Sequence, residues 1–368
     1  MIKIEKALPN EKELIIQIAN DTFKPIRPEG FDFRTFHPKV YLNPTCDYSL
    51  NHYIAREDDK PVGTFGNLIY KTNINNKDYS FSFLGTVSVL PEYQGKGIMK
   101  EMMASLEKDN LDHHVAFALL TGKRKRYNYY GYEKGTFSYA FSFVSYTIEH
   151  MRDIKEVILE EMTSENQNKA YELYKKQDFY HLRDKSNFYL TLKSCEAKGY
   201  NLLDKNHNFI GYCSFLESKK EVVEIMMEDI SYLPGVIKTI MISSHLDILN
   251  INVSPFQKEL ISCLSDIAEN ININTDLHIK IYDTKEFLSF VYELNNEYFN
   301  LKNKEVVYNI DNELVLVSIC NGAVNVTNTD RKPDYTLTKK ELITHLFAPL
   351  PDRKEEQLYF DQLECDRF

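Results

Sequence analysis

The sequence predicts a mixed α/β (α+β) fold divided among more than one domain, and three observations lead there. At 368 residues the chain exceeds what one core organises, about 150 residues per domain, so two or three domains follow. Apolar residues alternate in some short runs and recur three and four positions apart in others, which interleaves strands with helices along the whole length. Hydrophobic residues at 43% and charged residues at 27% lie near globular averages, which sets aside a disordered or collagen-like chain.

Ile2 and Ile4, followed by Leu8-Pro9, give a strand and a turn, after which Leu14, Ile15, Ile18, Ala19 and Phe23 share one helical face. Five punctuating residues between Asp21 and Asn51 (Pro25, Pro28, Gly30, Pro38, Pro44) predict loops with short helices. His52 to Leu90 reads as three antiparallel strands turning at Asp58-Asp59 and at Asn75-Asn76-Lys77. Ile98, Met102 and Leu106 then define a helix, and Val115 to Leu120 a strand. A related order follows Tyr146: a strand at Val157-Ile158-Leu159, a helix over Asn166 to Lys176, strands at Tyr200 to Phe215 and Val222 to Met227, a helix over Pro234 to Ser244 and a strand at Ile248 to Val253. Asn270 to Asn274 is the expected linker to a last unit, which begins with a strand at Leu277 to Asp283. A helix over Lys285 to Tyr298, strands near Val306, Leu314, Ala323 and Tyr335, and a helix over Lys339 to Phe347 complete that unit.

With 44 Lys plus Arg against 54 Asp plus Glu the chain carries a net charge of −10, a field that repels nucleic acid and anionic lipid and attracts cations. Neither an export signal nor an apolar run of about 18 residues is present, so no membrane span is expected. The six cysteines form no C-x-x-C pair, which fits a reducing cytoplasm. Ten histidines show no zinc-ligand spacing, and no metal is expected.

The sharpest local signal is Val87-Ser88-Val89-Leu90-Pro91-Glu92-Tyr93-Gln94-Gly95-Lys96-Gly97-Ile98-Met99, a strand that turns through two glycines into a helix. The first N–H groups of a helix lack intrahelical partners and, with the helix dipole, favour a phosphate or pyrophosphate. Gly95 and Gly97 remove Cβ atoms from the approach, and Lys96 adds charge. A Rossmann fingerprint would need glycine where Lys100 stands, and a P-loop would need Ser or Thr where Gly97 stands. A plain surface turn is the alternative. The basic run Lys123-Arg124-Lys125-Arg126 reads first as a solvated face, second as a contact for coenzyme phosphates and last as a nucleic-acid contact.

Gln94-x-x-Gly97-x-Met99 after a Val-x-Val strand resembles the acyl-coenzyme A signature of the GNAT acetyltransferase superfamily, with Met99 where the family has Gly or Ala. The resemblance implies acetyl-CoA as co-substrate, Val87 and Val89 offering backbone groups to the pantetheine, and Gly95, Lys96, Gly97 and Ile98 holding the pyrophosphate. Tyr127-Asn128-Tyr129-Tyr130-Gly131-Tyr132 is similar to the family's Tyr-x-x-x-Gly-aromatic segment. It implies Tyr127 as the general acid that protonates the leaving thiolate, a task suited to a phenol within hydrogen-bond reach.

The whole layout resembles the multidomain enhanced intracellular survival branch of that superfamily. Its implied division is a GNAT domain at 1–146, a degenerate GNAT-like domain at 147–275 and a sterol-carrier-protein-like domain at 276–368. The second unit reads Met227 to Gly235 where the glycine turn would fall, so one coenzyme site per chain is expected. The branch further implies a hexameric homo-oligomer, and a general base formed by the C-terminal carboxylate of a final Phe, here Phe368. Asp21, Glu29 and His37 are the internal alternatives. Asp21, Glu29, Asp32 and Asp47 lie where the branch recognises acceptors, which suggests a cationic amine. The expected function is acetyl transfer from acetyl-CoA to an amine, a small cation or a lysine side chain, by direct attack. The alternative is a non-catalytic protein that binds an apolar ligand in its last unit.

Overall fold

The computed structural model describes residues 1–177, 183–275 and 277–347. The chain opens with β1 (Ile2–Lys6), α1 (Lys12–Phe23), the short α2 (Phe33–Phe36) and α3 (Pro38–Tyr41), β2 (His52–Glu57), β3 (Lys60–Ile74) and β4 (Lys77–Val89). It continues through α4 (Ile98–Asp112), β5 (Phe117–Thr121), α5 (Arg124–Asn128) and β6 (Glu133–Lys134). Asp58, Asp59, Asn75 and Asn76 all hold positive φ, from 49° to 66°, as two-residue hairpin turns of the mirror-image type require. These turns pin the register of β2, β3 and β4.

The middle of the chain contains β7 (Ser138–Val144), α6 (Ser145–Glu149), β8 (Val157–Glu161), α7 (Asn168–Tyr174), α8 (Phe188–Leu192) and β9 (Lys198–Asp204). It then forms β10 (Phe209–Leu216), β11 (Glu221–Met227), α9 (Leu233–Ser243), β12 (Ile248–Val253), α10 (Lys258–Ser265) and β13 (Asn270–Asn274). The last stretch comprises β14 (Leu277–Ile281), α11 (Thr284–Phe299), β15 (Lys304–Ile310), β16 (Glu313–Cys320), β17 (Ala323–Asn328), β18 (Tyr335–Leu337) and α12 (Lys339–Phe347).

Two seven-stranded sheets share one strand plan. The first runs β1-β2-β3-β4-β5-β14-β6 and the second β8-β9-β10-β11-β12-β7-β13, each with a single parallel pair, β4 with β5 and β11 with β12. The recurrence read from the sequence after Tyr146 is thus a repeat of topology. A third sheet, β17-β16-β15-β18, carries α11 and α12.

Three expectations need correction. Asn270–Asn274 is an edge strand, paired antiparallel with β7 from Asn270 opposite Ser142 to Asn274 opposite Ser138. Ile271 and Ile273 supply the period-2 pattern, and asparagine is tolerated at an edge that one neighbour alone constrains. Leu277–Ile281 does not open a separate last unit; it enters the first sheet between β5 and β6, where Leu277, Ile279 and Ile281 are buried. β7, read with the first domain, likewise belongs to the second sheet. Periodicity identifies a strand but does not name its partner.

One face of the first sheet packs on α4 through Ile98, Met102, Met103 and Leu106. The other packs on α1 and on α11, whose Phe287 and Phe290 lie 5.4 and 5.0 Å from the Phe117 ring. A hydrogen bond of 2.8 Å between the Tyr292 and Tyr308 hydroxyls ties α11 to the third sheet, so that sheet and the first share one core. Asp283 starts α11 by accepting from the Glu286 N–H, and Asn300 ends it at φ 47°. Among the described residues no helix is long and apolar enough to cross a membrane.

Candidate acyl-transfer site

The site begins with a defect in β4. Thr64 pairs with Ser88 and Gly66 with Gly85, so Phe65 alone stands opposite Thr86 and Val87, and Thr86 adopts φ 51°. This is a β-bulge, which bends the strand that carries it. The parallel pairing to β5 runs only from Phe81 opposite Phe117 to Leu84 opposite Leu120. Beyond the bulge, Val87 and Val89 have no partner in β5.

A buried chain of hydrogen bonds holds the bulge. His52 Nδ1 lies 2.7 Å from the Tyr48 carbonyl, which can only accept, so Nδ1 carries the proton. Burial holds the ring down to about 4, with the Tyr48 contact opposing, so it is neutral at pH 7 and its Nε2 accepts. The Tyr41 hydroxyl, 3.0 Å away, therefore donates to Nε2, and the Thr86 hydroxyl donates to Tyr41 across 2.5 Å. No sequence pattern announces this chain, because its members lie up to 45 positions apart.

From Val89 the backbone passes through a short turn at Pro91–Tyr93 and reaches Gly97, the N-cap of α4. Gly95 and Gly97 stand at φ 79° and 82°, and a Cβ added to either would meet nothing within 4 Å. Conformation, not crowding by the protein, selects glycine there, and the vacant side is available to a ligand. The amides of Gly95 through Met99 donate to no acceptor among the described residues. Gln94 braces the turn: its Nε2 donates to the Val89 carbonyl at 3.0 Å and ties the turn to the strand.

These elements enclose a cavity of about 690 Å³. Val87, Val89, Gln94, Gly95, Gly97, Ile98 and Met99 line it together. Lys96 does not; it pairs with Glu57 at 3.5 Å and lies over the Tyr93 ring. The opposite wall is Thr22, Phe23, Pro25 and Ile26, from the end of α1 and the loop after it, and sequence reading missed it. Lys100, Lys123 and Arg126 supply the cations. The basic run thus divides: Arg124 makes a two-pronged pair with Glu133 at 2.7 and 2.8 Å, whereas Lys123 and Arg126 face the cavity.

Tyr127 is buried on α5, and its ring covers Gly122, where a Cβ would come within 2.5 Å of Cε2. Burial raises the phenol above its ordinary value, with the neighbouring Arg126 charge and hydrogen bond opposing. Tyr127 is not among the cavity-lining residues; its neighbours Arg126 and Tyr130 are. Of the acidic residues read as acceptor-facing, Asp32 caps α2 and pairs with Arg34, and Asp47 holds Ser49 and pairs with Lys12. Asp21 and Glu29 remain exposed. Burial, with Lys39 and Arg27 nearby, holds His37 down to about 3, too weak a base to take a proton from an amine. Phe368 lies outside the described residues.

Residues 3–135 match the model of the acetyltransferase (GNAT) domain. The fold agrees. A GCN5-related N-acetyltransferase from Anabaena variabilis superposes with a TM-score of 0.66 at 15% identity, covering 94% of this chain and 90% of that one. A protein from Enterococcus faecalis described as a probable N-acyltransferase gives 0.65 at 13% identity over 93% and 88% of the two chains. Eis1 from Mycobacterium abscessus gives 0.62 at 11% identity over 94% and 89%. No curated protein matches the chain. The chain carries a GNAT acetyltransferase domain and is an acyltransferase.

Proposed function

We propose that the protein transfers the acetyl group of acetyl-CoA to an amine by direct attack on the thioester. The observation that carries this reading is the convergence, in one cavity, of undonated amides at Gly95 to Met99, the unpaired end of β4 and three cations. The amides and the start of α4 suit the pyrophosphate, and Lys100, Lys123 and Arg126 suit the remaining phosphate charge. Val87 and Val89 would border the pantetheine arm, and Met99 lines the same cavity. Tyr127 does not itself line the cavity, so its role as proton donor to the thiolate rests on the family resemblance.

The acceptor in this reading is a cationic amine or a lysine side chain, drawn by the acidic field of the chain and by Asp21 and Glu29 near the end of α1. With His37 too weakly basic and Asp32 and Asp47 engaged, the proton of the attacking amine falls to Asp21, Glu29 or the Phe368 carboxylate. A carrier role for the last unit finds less support, since the apolar side of α11 is already packed on the first sheet.

Titration calorimetry tests the coenzyme half of the proposal. We expect acetyl-CoA to bind with one site per chain, because Met227 to Gly235 lacks the glycine turn in the second unit, and to bind more weakly as salt screens the three cations. No binding, or affinity indifferent to salt, counts against it.

A further inference from the structure

β13 ends the second sheet, and its outer edge has no partner among the described residues. Proteins usually protect such an edge with lysine, proline or a bulge, and β13 has none of these. Its residues are Asn270-Ile271-Asn272-Ile273-Asn274, which read the same in both directions. Ile271 pairs with Phe141, which is buried in the core of the second unit, yet Ile271 is 51% exposed and Ile273 43%. They form the uncovered rim of an otherwise covered apolar face.

We infer that this edge pairs with the same edge of a second copy of the chain, antiparallel about a twofold axis at Asn272. A palindrome is what an isologous contact requires, since each residue meets its counterpart across the axis. Ile271 then stands opposite Ile273 of the other copy, and the two rims close into one apolar strip. On the other face Asn270 meets Asn274, and Asn272 meets itself, so no like charges oppose each other although each chain carries −10.

The charges flanking the strand complete the fit. The register places exposed Glu269 opposite Thr275 of the second copy, and within each chain the Lys134 ammonium lies 3.3 Å from the Thr275 hydroxyl. Each Glu269 therefore faces a lysine of the other copy, twice by symmetry. The result is one continuous sheet through both molecules, remote in sequence from the acyl-transfer residues and independent of the activity assigned to them.

Sedimentation velocity on the full chain tests the axis directly. The wild type is expected to sediment as a dimer, or as a larger even-numbered assembly built on it such as the hexamer the resemblance implies, which the Asn272 variants break at this contact. Asn272→Lys and Asn272→Glu, each placing like charges against each other on an exposed position, are expected to weaken dimerisation by about tenfold or more. An equimolar mixture of the two variants should recover the dimer, which only a contact centred on residue 272 produces. Glu269→Lys should weaken it too, and adding Lys134→Glu should restore it. Unchanged thermal melting of the variants confirms their folding. A monomeric wild type, or a dimer that survives both Asn272 variants, overturns the proposal, as does a mixture that stays monomeric.

Discussion

Tyr127→Phe is expected to lower kcat for acetyl transfer by about 10²-fold or more, the scale on which a positioned general acid acts, while leaving acetyl-CoA affinity unchanged. The hydroxyl is the only group lost, and the ring still covers Gly122. Tyr130→Phe is the control, because Tyr130 lines the cavity and lies three positions further along. A loss that falls on Tyr130 and spares Tyr127 would move the acid role to the cavity wall. The pH dependence has a defined sign. Burial raises the Tyr127 pKa above its ordinary value of 10.0, so the acid form persists through neutral pH and its loss belongs to the far alkaline side. Any rise in rate near neutrality then reports deprotonation of the amine or of its base. Gly122→Ala should reproduce part of the kcat loss with the phenol intact, because the new Cβ displaces the ring.

Gly97→Val is expected to weaken acetyl-CoA binding by about 10²-fold. A non-glycine residue at φ 82° costs about 1–2 kcal/mol, more for a branched side chain, so the turn relaxes toward negative φ. Relaxation re-aims the amides ahead of α4, and losing one hydrogen bond to a charged group costs about 1.5–3 kcal/mol. Together these losses amount to roughly two factors of ten. Melting temperature should change little, because Gly97 is exposed and its vacant side touches nothing within 4 Å. Calorimetry of the variant checks both halves; affinity equal to wild type would show that the turn does not hold the coenzyme.

Local structure was legible in the sequence where one short segment contains all of it. The glycine turn, the Val87 and Val89 strand and the hairpin turns at Asp58-Asp59 and Asn75-Asn76 are fixed by their own residues, and the structure places them as read. What depends on distant partners was not legible. β14 joins the first sheet because its apolar face fits between β5 and β6, a fact about packing 156 residues away in sequence at Leu277 and Thr121. The Thr86, Tyr41 and His52 chain and the wall at Phe23, Pro25 and Ile26 are also products of folding. Charge counting erred in the opposite way, for Asp32 and Asp47 turned out to cap helices and Lys96 to pair with Glu57. A list of acidic or basic residues records what charge exists, not which charges the fold has already neutralised.

If an amine attacks a thioester held at the end of β4, free thiol is released from acetyl-CoA only in the presence of amines, and a thiol-release assay checks this. With polyamines, aminoglycosides and lysine peptides as acceptors, release is expected to require both the chain and an amine, to saturate in each, and to fall by about 10²-fold in Tyr127→Phe. Silence across the amines, or release that proceeds equally without any amine, would contradict it.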